Sequence, residues 1–222
     1  TELESAHDEV TYLRNEQNEG VAHGINRGFD HASGEYLAHL GDDDEWTNER
    51  KLQKQVDVFE HGDPQLGLVT SGFVLYSESE NEVKRTVRPS RPDNLERYLL
   101  KQNKVFPSSA VLIRAEAVDA VGGFDKEMPR GVDSDLFRRI VFAGYDVAFL
   151  SEPLVTLYVD REDRMTAKHS LEKIDPHIEG EERKLRKFTE QFEKYPESRS
   201  KVYEKIGSHY INRWKSSGSP ED

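Results

Sequence analysis

The hydrophobic residues of this chain fall into two kinds of segment that alternate along most of its length. Short apolar runs predict buried strands, whereas apolar residues at intervals of three and four predict one face of a helix. Strands are predicted at 10–13, 35–40, 66–75, 108–114, 147–150 and 155–158, with a hairpin over 76–87. Helices are predicted at 21–32, 48–61, 95–100, 115–121 and 134–143. Such alternation is typical of an α/β domain.

The pattern changes near residue 168, after which charged residues predominate. Two helices are predicted there, at 178–194 and 198–215, with a break at Pro196. We therefore expect a main domain at 1–168, a helical extension at 169–215 and a disordered tail at 216–222. No apolar run approaches the roughly 18–20 residues that a membrane-spanning helix needs.

Composition narrows the classes of function. The 222 residues include 31 Lys and Arg against 43 Asp and Glu, so the formal net charge is −12. Binding along a nucleic-acid backbone needs clustered basic residues, and we therefore expect no nucleic-acid partner. The absence of cysteine excludes disulfides and thiolate zinc sites. The polar, acidic start of the sequence shows no signal peptide, which favours a cytoplasmic protein.

Three consecutive carboxylates, Asp42, Asp43 and Asp44, follow the predicted strand at 35–40. Adjacent like charges repel, and a hard divalent cation would offset this repulsion through the carboxylate oxygens. Ligands of α/β sheets gather at the carboxyl ends of strands, so this position suits a metal that also holds substrate phosphates. The other interpretation is a solvated acidic turn that caps the next helix.

Two side chains beside the acidic run have simpler interpretations. Trp46 is expected to pack as an aromatic anchor for the next helix, and stacking near a bound ligand is the alternative. His39 follows His23 and His31 at intervals of eight residues. That interval is not a metal-ligand spacing, so no zinc site is predicted.

Three blocks of the sequence resemble family 2 glycosyltransferases of GT-A fold in their residues, their order and their spacing, over about residues 10–165. The first contains Asn15–Gly20, Asn26–Gly28, Ala32–Tyr36 and Leu40–Trp46, the second contains Gly122–Asp125 and Asp133–Arg139, and the third contains Ser151–Val155 and Tyr158. The resemblance implies a three-layer α/β sandwich with a mixed central sheet, followed by a C-terminal helical appendage.

The resemblance also implies roles for the acidic run. Asp43 matches the ligand of Mg²⁺ or Mn²⁺ that bridges to the diphosphate of a nucleotide-sugar donor. Asp42 would contact the ribose of the nucleotide, or the metal indirectly, and Asp44 would support the same ligand. Members of the family often carry aspartate where Gly41 stands, so the division of roles between Asp42 and Asp44 stays open.

Further roles in the resemblance fall on two later segments. Asp133 matches the catalytic base of inverting members, which takes the proton of the acceptor hydroxyl; its other interpretation is an N-cap of the helix that starts at Ser134. Arg161 and Arg164 lie in a loop that can close over the diphosphate, where guanidinium groups pair with phosphate oxygens. A solvated basic loop is the alternative for that segment. Asp135 is expected to be a first-turn carboxylate favoured by the helix dipole.

The resemblance implies transfer of a sugar from a nucleotide-diphosphate donor to a saccharide or lipid-linked acceptor, with inversion. The expected location is the cytoplasm, either free or at the inner surface of the membrane. The strand, helix and strand with which family members normally begin precede the matched region, so the fold is expected to be N-terminally incomplete. An exposed strand edge near Val10–Leu13 would then be covered, for instance in a homo-oligomer. The alternative function is a non-catalytic binding or assembly module derived from the same fold.

Overall fold

The computed structural model of the chain describes residue 5 and residues 7–102, 106–160 and 171–216. Its strands are β1 (Tyr36–Ala38), β2 (Asp44–Glu45), β3 (Leu66–Ser77), β4 (Glu82–Val87), β5 (Val111–Arg114) and β6 (Asp146–Tyr158). Its helices are α1 (Val21–His31), α2 (Lys51–His61), α3 (Leu95–Lys101), α4 (Ala115–Asp119), α5 (Val132–Phe142), α6 (Leu171–Lys187), α7 (Thr189–Lys194) and α8 (Pro196–Ser216). A 3₁₀ turn at Ser108–Ala110 precedes β5.

The strands form one mixed sheet, as predicted. They lie in the order β1-β5-β3-β6-β2, and β4 pairs with β3 beside this path. β3 and β6 run parallel, whereas the other pairs are antiparallel. Leu68 at the centre of the sheet pairs with Ile113 of β5 and is in register with Val147 of β6. β1 lies at one end, and no strand among the described residues pairs with its outer edge.

Helices cover both faces of the sheet and give three layers. Successive side chains of a strand point to opposite faces, so Leu37 and Leu68 pack with α1, α4 and α5 on one side. Val69 and Leu112 point to the other side, where they pack with Phe59 of α2. The predicted three-layer α/β sandwich is therefore confirmed.

The C-terminal helices share a small apolar core that rests on α3 and α5. Its buried side chains are Ile174, Ile178, Leu185, Phe188, Phe192, Val202 and Ile206, with Leu100 of α3. The ring of Phe188 lies 5.2 Å from the ring of Phe142 at the end of α5. The prediction of one helix over 178–194 is wrong, because Phe188 leaves the helical conformation between α6 and α7 and enters this core.

Proline positions set the other helix boundaries of this region. α8 begins at Pro196, a position that suits proline because the first helical N–H needs no partner. α6 contains Pro176 and begins earlier than predicted, at Leu171. The predicted disordered tail lies outside the described residues, except for Ser216, which ends α8.

Four predicted strands differ from the structure. The strand predicted at 108–114 begins only at Val111, after the 3₁₀ turn. Residues 10–13 form no strand, and Val10 and Tyr12 are exposed. The structure describes no strand beside this segment for it to pair with, and Arg27 of α1 instead donates to the carbonyl of Arg14 at 2.7 Å. The runs at 147–150 and 155–158 are continuous as β6, because Pro153 stands where the ladder with β3 shifts register.

Asn26 joins two sequence blocks that are far apart in the chain. Its Nδ2 donates to the carbonyl of Phe124 at 2.9 Å, and its Oδ1 accepts the N–H of Phe124 at 2.8 Å. Gly123 has a φ of +71°, and a Cβ at that position would lie 2.7 Å from Asn26 Oδ1. The contact fixes α1 to the turn after α4. Asn26 and Gly123 therefore both have a structural role.

Candidate functional site

The acidic run forms a tight loop between β1 and β2. The N–H of Asp44 donates to the carbonyl of Gly41 at 3.2 Å. The hydroxyl of Ser109 donates to Asp44 Oδ2 at 2.6 Å and accepts the N–H of Gly41 at 3.1 Å. The Asp44 carboxylate is therefore turned toward the 3₁₀ turn, whereas Asp42 is exposed and Asp43 is half-buried.

Gly41 leaves room for these carboxylates. A Cβ at this position would lie 3.0 Å from Asp43 Oδ1 and 3.4 Å from Asp44 Oδ2. An aspartate here would crowd both groups and would add another negative charge beside them. This crowding is a physical reason for glycine at the position where the resembling family often has aspartate.

Three polar side chains, those of Trp46, Lys51 and Gln55, connect the residues after the acidic loop to the 3₁₀ turn and to β3. Trp46 Nε1 donates to the carbonyl of Ser109 at 2.9 Å, and the ammonium of Lys51 lies 4.4 Å from the centre of the Trp46 ring. Lys51 Nζ donates to Gln55 Oε1 at 2.8 Å, and Gln55 Nε2 donates to the carbonyls of Val69 and Ala110. Burial lowers the pKa of Lys51 to about 8. These contacts fit the interpretation of Trp46 as an anchor for the following helix, α2.

Asp133 lies in the first turn of α5. The helix is preceded by Gly131 in the left-handed conformation, with a φ of +69°, and begins at Val132. The N-cap position therefore belongs to Gly131, and the interpretation of Asp133 as an N-cap is wrong. Asp133 is half-buried, and its Oδ1 accepts the N–H of Ser134 at 2.7 Å. A carboxylate in a first helical turn is stabilised by the helix dipole.

Asp135 is part of the packing of the domain. It is 1 % exposed, and its carboxylate accepts hydrogen bonds from Arg139 Nε at 2.8 Å and from Lys187 Nζ at 2.8 and 2.9 Å. Arg139 also donates to the carbonyls of Val121 and Gly123, both at 2.7 Å. The role expected from the sequence, a first-turn carboxylate favoured by the dipole, is extended here by two cationic partners.

His39 is the residue around which the candidate site comes together. It ends the segment that contains β1, and its Nδ1 lies 3.2 Å from the hydroxyl of Ser108. Burial lowers the pKa of His39, and the carboxylates of Asp133, Asp42 and Asp43 all act in the opposite direction. The acidic loop and the first turn of α5 therefore both exert an electrostatic effect on this imidazole.

Sequence reasoning missed His39 because it considered histidine only as a zinc ligand. Its position at the end of a buried strand, directly before the acidic run, was the available indication. Ser109 carried no comparable pattern, and only the fold shows that its hydroxyl bridges Gly41 and Asp44.

The donor set suits a divalent cation that shares its coordination with a substrate. Within the described ranges, no three acidic or histidine side chains are grouped closely enough to hold a metal by themselves. Asp42 and Asp43 offer hard oxygen donors on one partly exposed loop, and Mg²⁺ is commonly held by one or two carboxylates together with substrate phosphates. A metal carried with a diphosphate therefore fits these residues.

The remaining predictions concern two arginines and the relation of the chain to membranes. Arg161 and Arg164 lie outside the described residues. Among the helices that the structure describes, none combines the length and the apolar character needed to cross a bilayer.

Comparison with known proteins supports the sequence-based resemblance. The profile of "Glycosyl transferase family 2" matches residues 1–122. The pre-mycofactocin glycosyltransferase of Mycobacterium tuberculosis is 29% identical over 165 residues, which are 72% of this chain and 34% of that protein. The amylovoran biosynthesis glycosyltransferase AmsB of Erwinia amylovora is 27% identical over 168 residues, which are 69% of this chain and 54% of that protein. The chain thus spans about a third to about half the length of these curated relatives.

A solved structure agrees with the fold. The mannosyltransferase PcManGT from Pyrobaculum calidifontis, in complex with GDP-Man and Mn²⁺, matches with a TM-score of 0.59 and 16% identity. The match covers 98% of this chain and 61% of that one. This likeness identifies the fold as GT-A. With the family profile covering more than half of the sequence, the chain belongs to glycosyl transferase family 2.

Proposed function

We propose that this chain is part of an inverting glycosyltransferase. In the proposed reaction, the oxygen of an acceptor hydroxyl forms a bond to the anomeric carbon of a nucleotide-sugar, and the bond from that carbon to the diphosphate breaks. The nucleoside diphosphate leaves with the bonding electron pair. The carboxylate of Asp133 takes the proton of the hydroxyl, which makes the oxygen a better nucleophile. The acceptor in this proposal is a saccharide or a lipid-linked acceptor.

The observation that carries the proposal is that the carboxylates of Asp42, Asp43 and Asp133 all act electrostatically on the imidazole of His39, which directly precedes the acidic loop. The two groups of carboxylates are far apart in the sequence, and the family resemblance gives them complementary roles. Asp43 would hold Mg²⁺ or Mn²⁺, and Asp42 would contact the ribose. When bound, the metal would neutralise negative charge on the leaving diphosphate. The GDP-Man and Mn²⁺ of the structurally similar mannosyltransferase support this assignment.

Asp44 has a supporting role in this proposal. Its Oδ2 accepts from Ser109, which ties the acidic loop to the 3₁₀ turn, while Asp42 is exposed and Asp43 is half-buried. Arg161 and Arg164 stay predicted phosphate-binding residues, and a cytoplasmic location at the inner membrane surface also stays a prediction.

Binding of the nucleotide and the metal is the first test. We expect Mn²⁺ with UDP or GDP to raise the melting temperature, and we expect Mn²⁺ to give a broadened electron paramagnetic resonance signal on binding. Asp43→Asn should abolish both effects without loss of the folded circular dichroism spectrum. Asp57→Asn, which changes an exposed carboxylate on α2, is the matched control and should keep both effects.

Asp133 is tested by separating binding from turnover. Asp133→Asn is expected to bind nucleotide and Mn²⁺ like the parent protein, while release of nucleoside diphosphate from a nucleotide-sugar falls by about 10²–10⁴-fold. If release continues at the parent rate, Asp133 is not the base.

The second candidate function is a non-catalytic binding or assembly module. The observation in its favour is that, within the described residues, no three acidic or histidine side chains are grouped closely enough to hold a metal by themselves. A folded protein whose melting temperature does not respond to any nucleotide with Mn²⁺ or Mg²⁺ would support the module and would refute the transferase.

We also propose that the outer edge of β1 is covered by a second copy of the chain. Unpaired N–H and C=O groups on an edge strand readily pair with another strand. Light scattering after size-exclusion chromatography should then report a dimer that Ala38→Pro converts to a monomer. A monomeric parent protein would contradict the proposal.

A further inference from the structure

Helix α8 exposes a row of large apolar side chains. Tyr203 is 52%, Tyr210 is 48%, Ile211 is 55% and Trp214 is 58% exposed. The positions 203, 207, 210, 211 and 214 recur at helical intervals, so these side chains lie along one side of α8, with Gly207 between them. We call the four apolar residues the aromatic face of α8.

The rest of α8 is firmly held by the protein. Val202 and Ile206 are buried in the core of the C-terminal helices. Glu197 pairs with Arg97 of α3 at 2.7 Å, and Arg213 pairs with Asp175 of α6 at 3.1 Å. The aromatic face is therefore presented on a fixed helix, on the side that points away from the core.

The charge around the aromatic face is unlike that of the chain as a whole. The sequence contains 43 acidic residues and has a net charge of −12, yet residues 205–216 contain no Asp or Glu. That segment contains Lys205, Arg213 and Lys215, and Arg199 lies 5.9 Å from the ring of Tyr203. Lys205 lies 3.5 Å from Glu181 of α6, so its charge is compensated within the protein. Arg213 stays half exposed in its pair with Asp175. The cations that accompany the aromatic face are thus Arg199, Arg213 and Lys215.

This combination has a known physical use. Tyrosine and tryptophan concentrate where a bilayer meets water, because their rings are apolar and their hydroxyl and N–H groups remain hydrated. Lysine and arginine near the same surface are attracted to anionic lipid headgroups, at about 1 kcal/mol for each residue. A helix with both features lies in the plane of the membrane surface.

We propose that the aromatic face of α8 docks on the surface of an anionic lipid bilayer. A second copy of the chain is a poorer occupant of this face. A two-fold contact would set the same cationic patch against itself, whereas an anionic bilayer complements it. The proposal goes beyond the transferase function and does not depend on it, because bilayer binding needs neither donor nor metal.

Vesicle co-sedimentation tests the proposal with the complete chain. We expect binding to phosphatidylcholine vesicles that contain roughly one-third phosphatidylglycerol, and little binding to phosphatidylcholine alone. Trp214→Ser should weaken the partition about tenfold, and Lys215→Ser about fivefold. Val83→Ser changes an equally exposed apolar residue on β4 and should bind like the parent protein.

Tryptophan fluorescence reports which side chain enters the bilayer. The chain contains Trp46 and Trp214. Vesicles with brominated acyl chains should quench the parent protein and should leave the emission of Trp214→Phe, which retains Trp46, unchanged. This readout does not depend on the stability of the variant, provided that its circular dichroism is that of a folded protein.

Three results would overturn the proposal. The first is a parent protein that binds anionic and zwitterionic vesicles equally weakly. The second is vesicle binding that Trp214→Ser leaves unchanged. The third is a dimer in light scattering that Trp214→Ser converts to a monomer, which would assign the aromatic face to a second copy. Loss of nucleotide binding would affect none of these measurements.

Discussion

Lys187 Nζ lies 2.8 Å from Asp135 Oδ2, and this contact joins the C-terminal helices to the helix that carries Asp133. Lys187 also contacts Asp125 Oδ2 at 2.7 Å. Asp135 is 1% exposed, so its charge depends on the protein for compensation. The charged C-terminal segment is therefore held to the GT-A domain at a point two residues from the proposed base.

Replacing Lys187 with methionine should destabilise the domain. Asp135 would keep Arg139 as a partner but would lose one of two compensating charges, and we expect the free energy of unfolding to fall by about 2 kcal/mol. Amide exchange in residues 132–137 should become faster at the same time. Urea denaturation and hydrogen-exchange mass spectrometry measure the two effects.

Two other variants calibrate this result. Lys187→Arg keeps the charge and should recover much of the loss. Lys201→Met removes a lysine from the exposed pair with Glu204 and should cost less than about 1 kcal/mol. If Lys187→Met and Lys201→Met lower the free energy of unfolding equally, the contact with Asp135 contributes no more to stability than an exposed ion pair.

Asn26→Ala is expected to lower the free energy of unfolding by about 2 kcal/mol. The substitution leaves both the N–H and the carbonyl of Phe124 without their side-chain partner in a half-buried position. Gln53→Ala, which removes an exposed hydrogen bond on α2, should change stability by less than about 0.5 kcal/mol. Similar values for the two variants, in denaturant titrations, would contradict the role of Asn26.

Two glycine substitutions should act in opposite directions. A Cβ on Gly72 would lie 2.7 to 2.9 Å from three backbone carbonyl oxygens, those of Val87, Glu152 and Ser151, so Gly72→Ala should destabilise the protein by about 2 kcal/mol. A Cβ on Gly24, inside α1, would meet nothing within 4 Å. Gly24→Ala should stabilise the protein by about 0.5–1 kcal/mol. Thermal denaturation of both variants checks the signs.

Lys51 predicts a pH dependence of stability. Burial lowers its pKa from 10.5 to about 8, so between these values the unfolded chain binds a proton that the folded chain does not. Unfolding therefore becomes less favourable as the pH rises from about 8 to 10.5. Lys51→Met removes this contribution, and the stability of the parent protein relative to Lys51→Met should rise by about 3 kcal/mol across that window.

The comparison between variants is needed because Lys184 acts in the same direction. Burial lowers its pKa to about 8 as well. Denaturant titrations of the parent protein and of Lys51→Met at several pH values isolate the Lys51 contribution. Two parallel stability curves would show that Lys51 is not the source of the effect.

Much of the fold could be predicted from the sequence because its elements have strong local patterns. The apolar run that becomes β3 and the helical spacing of Ala22, Ile25 and Phe29 are decided by burial on one face. The strand predicted at 10–13 is wrong because a strand needs a partner, and four residues carry no information about one. Phe188 interrupts a helix and packs in the core of the C-terminal helices. The local sequence pattern gives no information about that packing.

The candidate site also contains residues that could be predicted from the sequence and contacts that depend on the fold. Asp42, Asp43 and Asp133 could be selected from the sequence because charge and motif mark them. Their common electrostatic effect on His39 depends on the order of the strands, and so does the hydrogen bond from Ser109 to Asp44. The N-cap interpretation of Asp133 failed because Gly131 takes the left-handed conformation and the helix begins at Val132, two residues earlier than the apolar pattern indicates.

The parallel pairing of β3 with β6 has a consequence for the order of folding. Leu68 is in register with Val147 and Tyr76 with Tyr158, so this pairing closes a long loop that contains β4, β5 and α5. Closing such a loop costs entropy before its contacts form, and non-local pairings of this kind slow folding. β2, which carries Asp44 at the end of the acidic run, pairs with β6, so the acidic run is fixed in place only when this long loop is closed. We therefore expect ligand binding to recover with the slowest kinetic phase of refolding, well after the helices have formed.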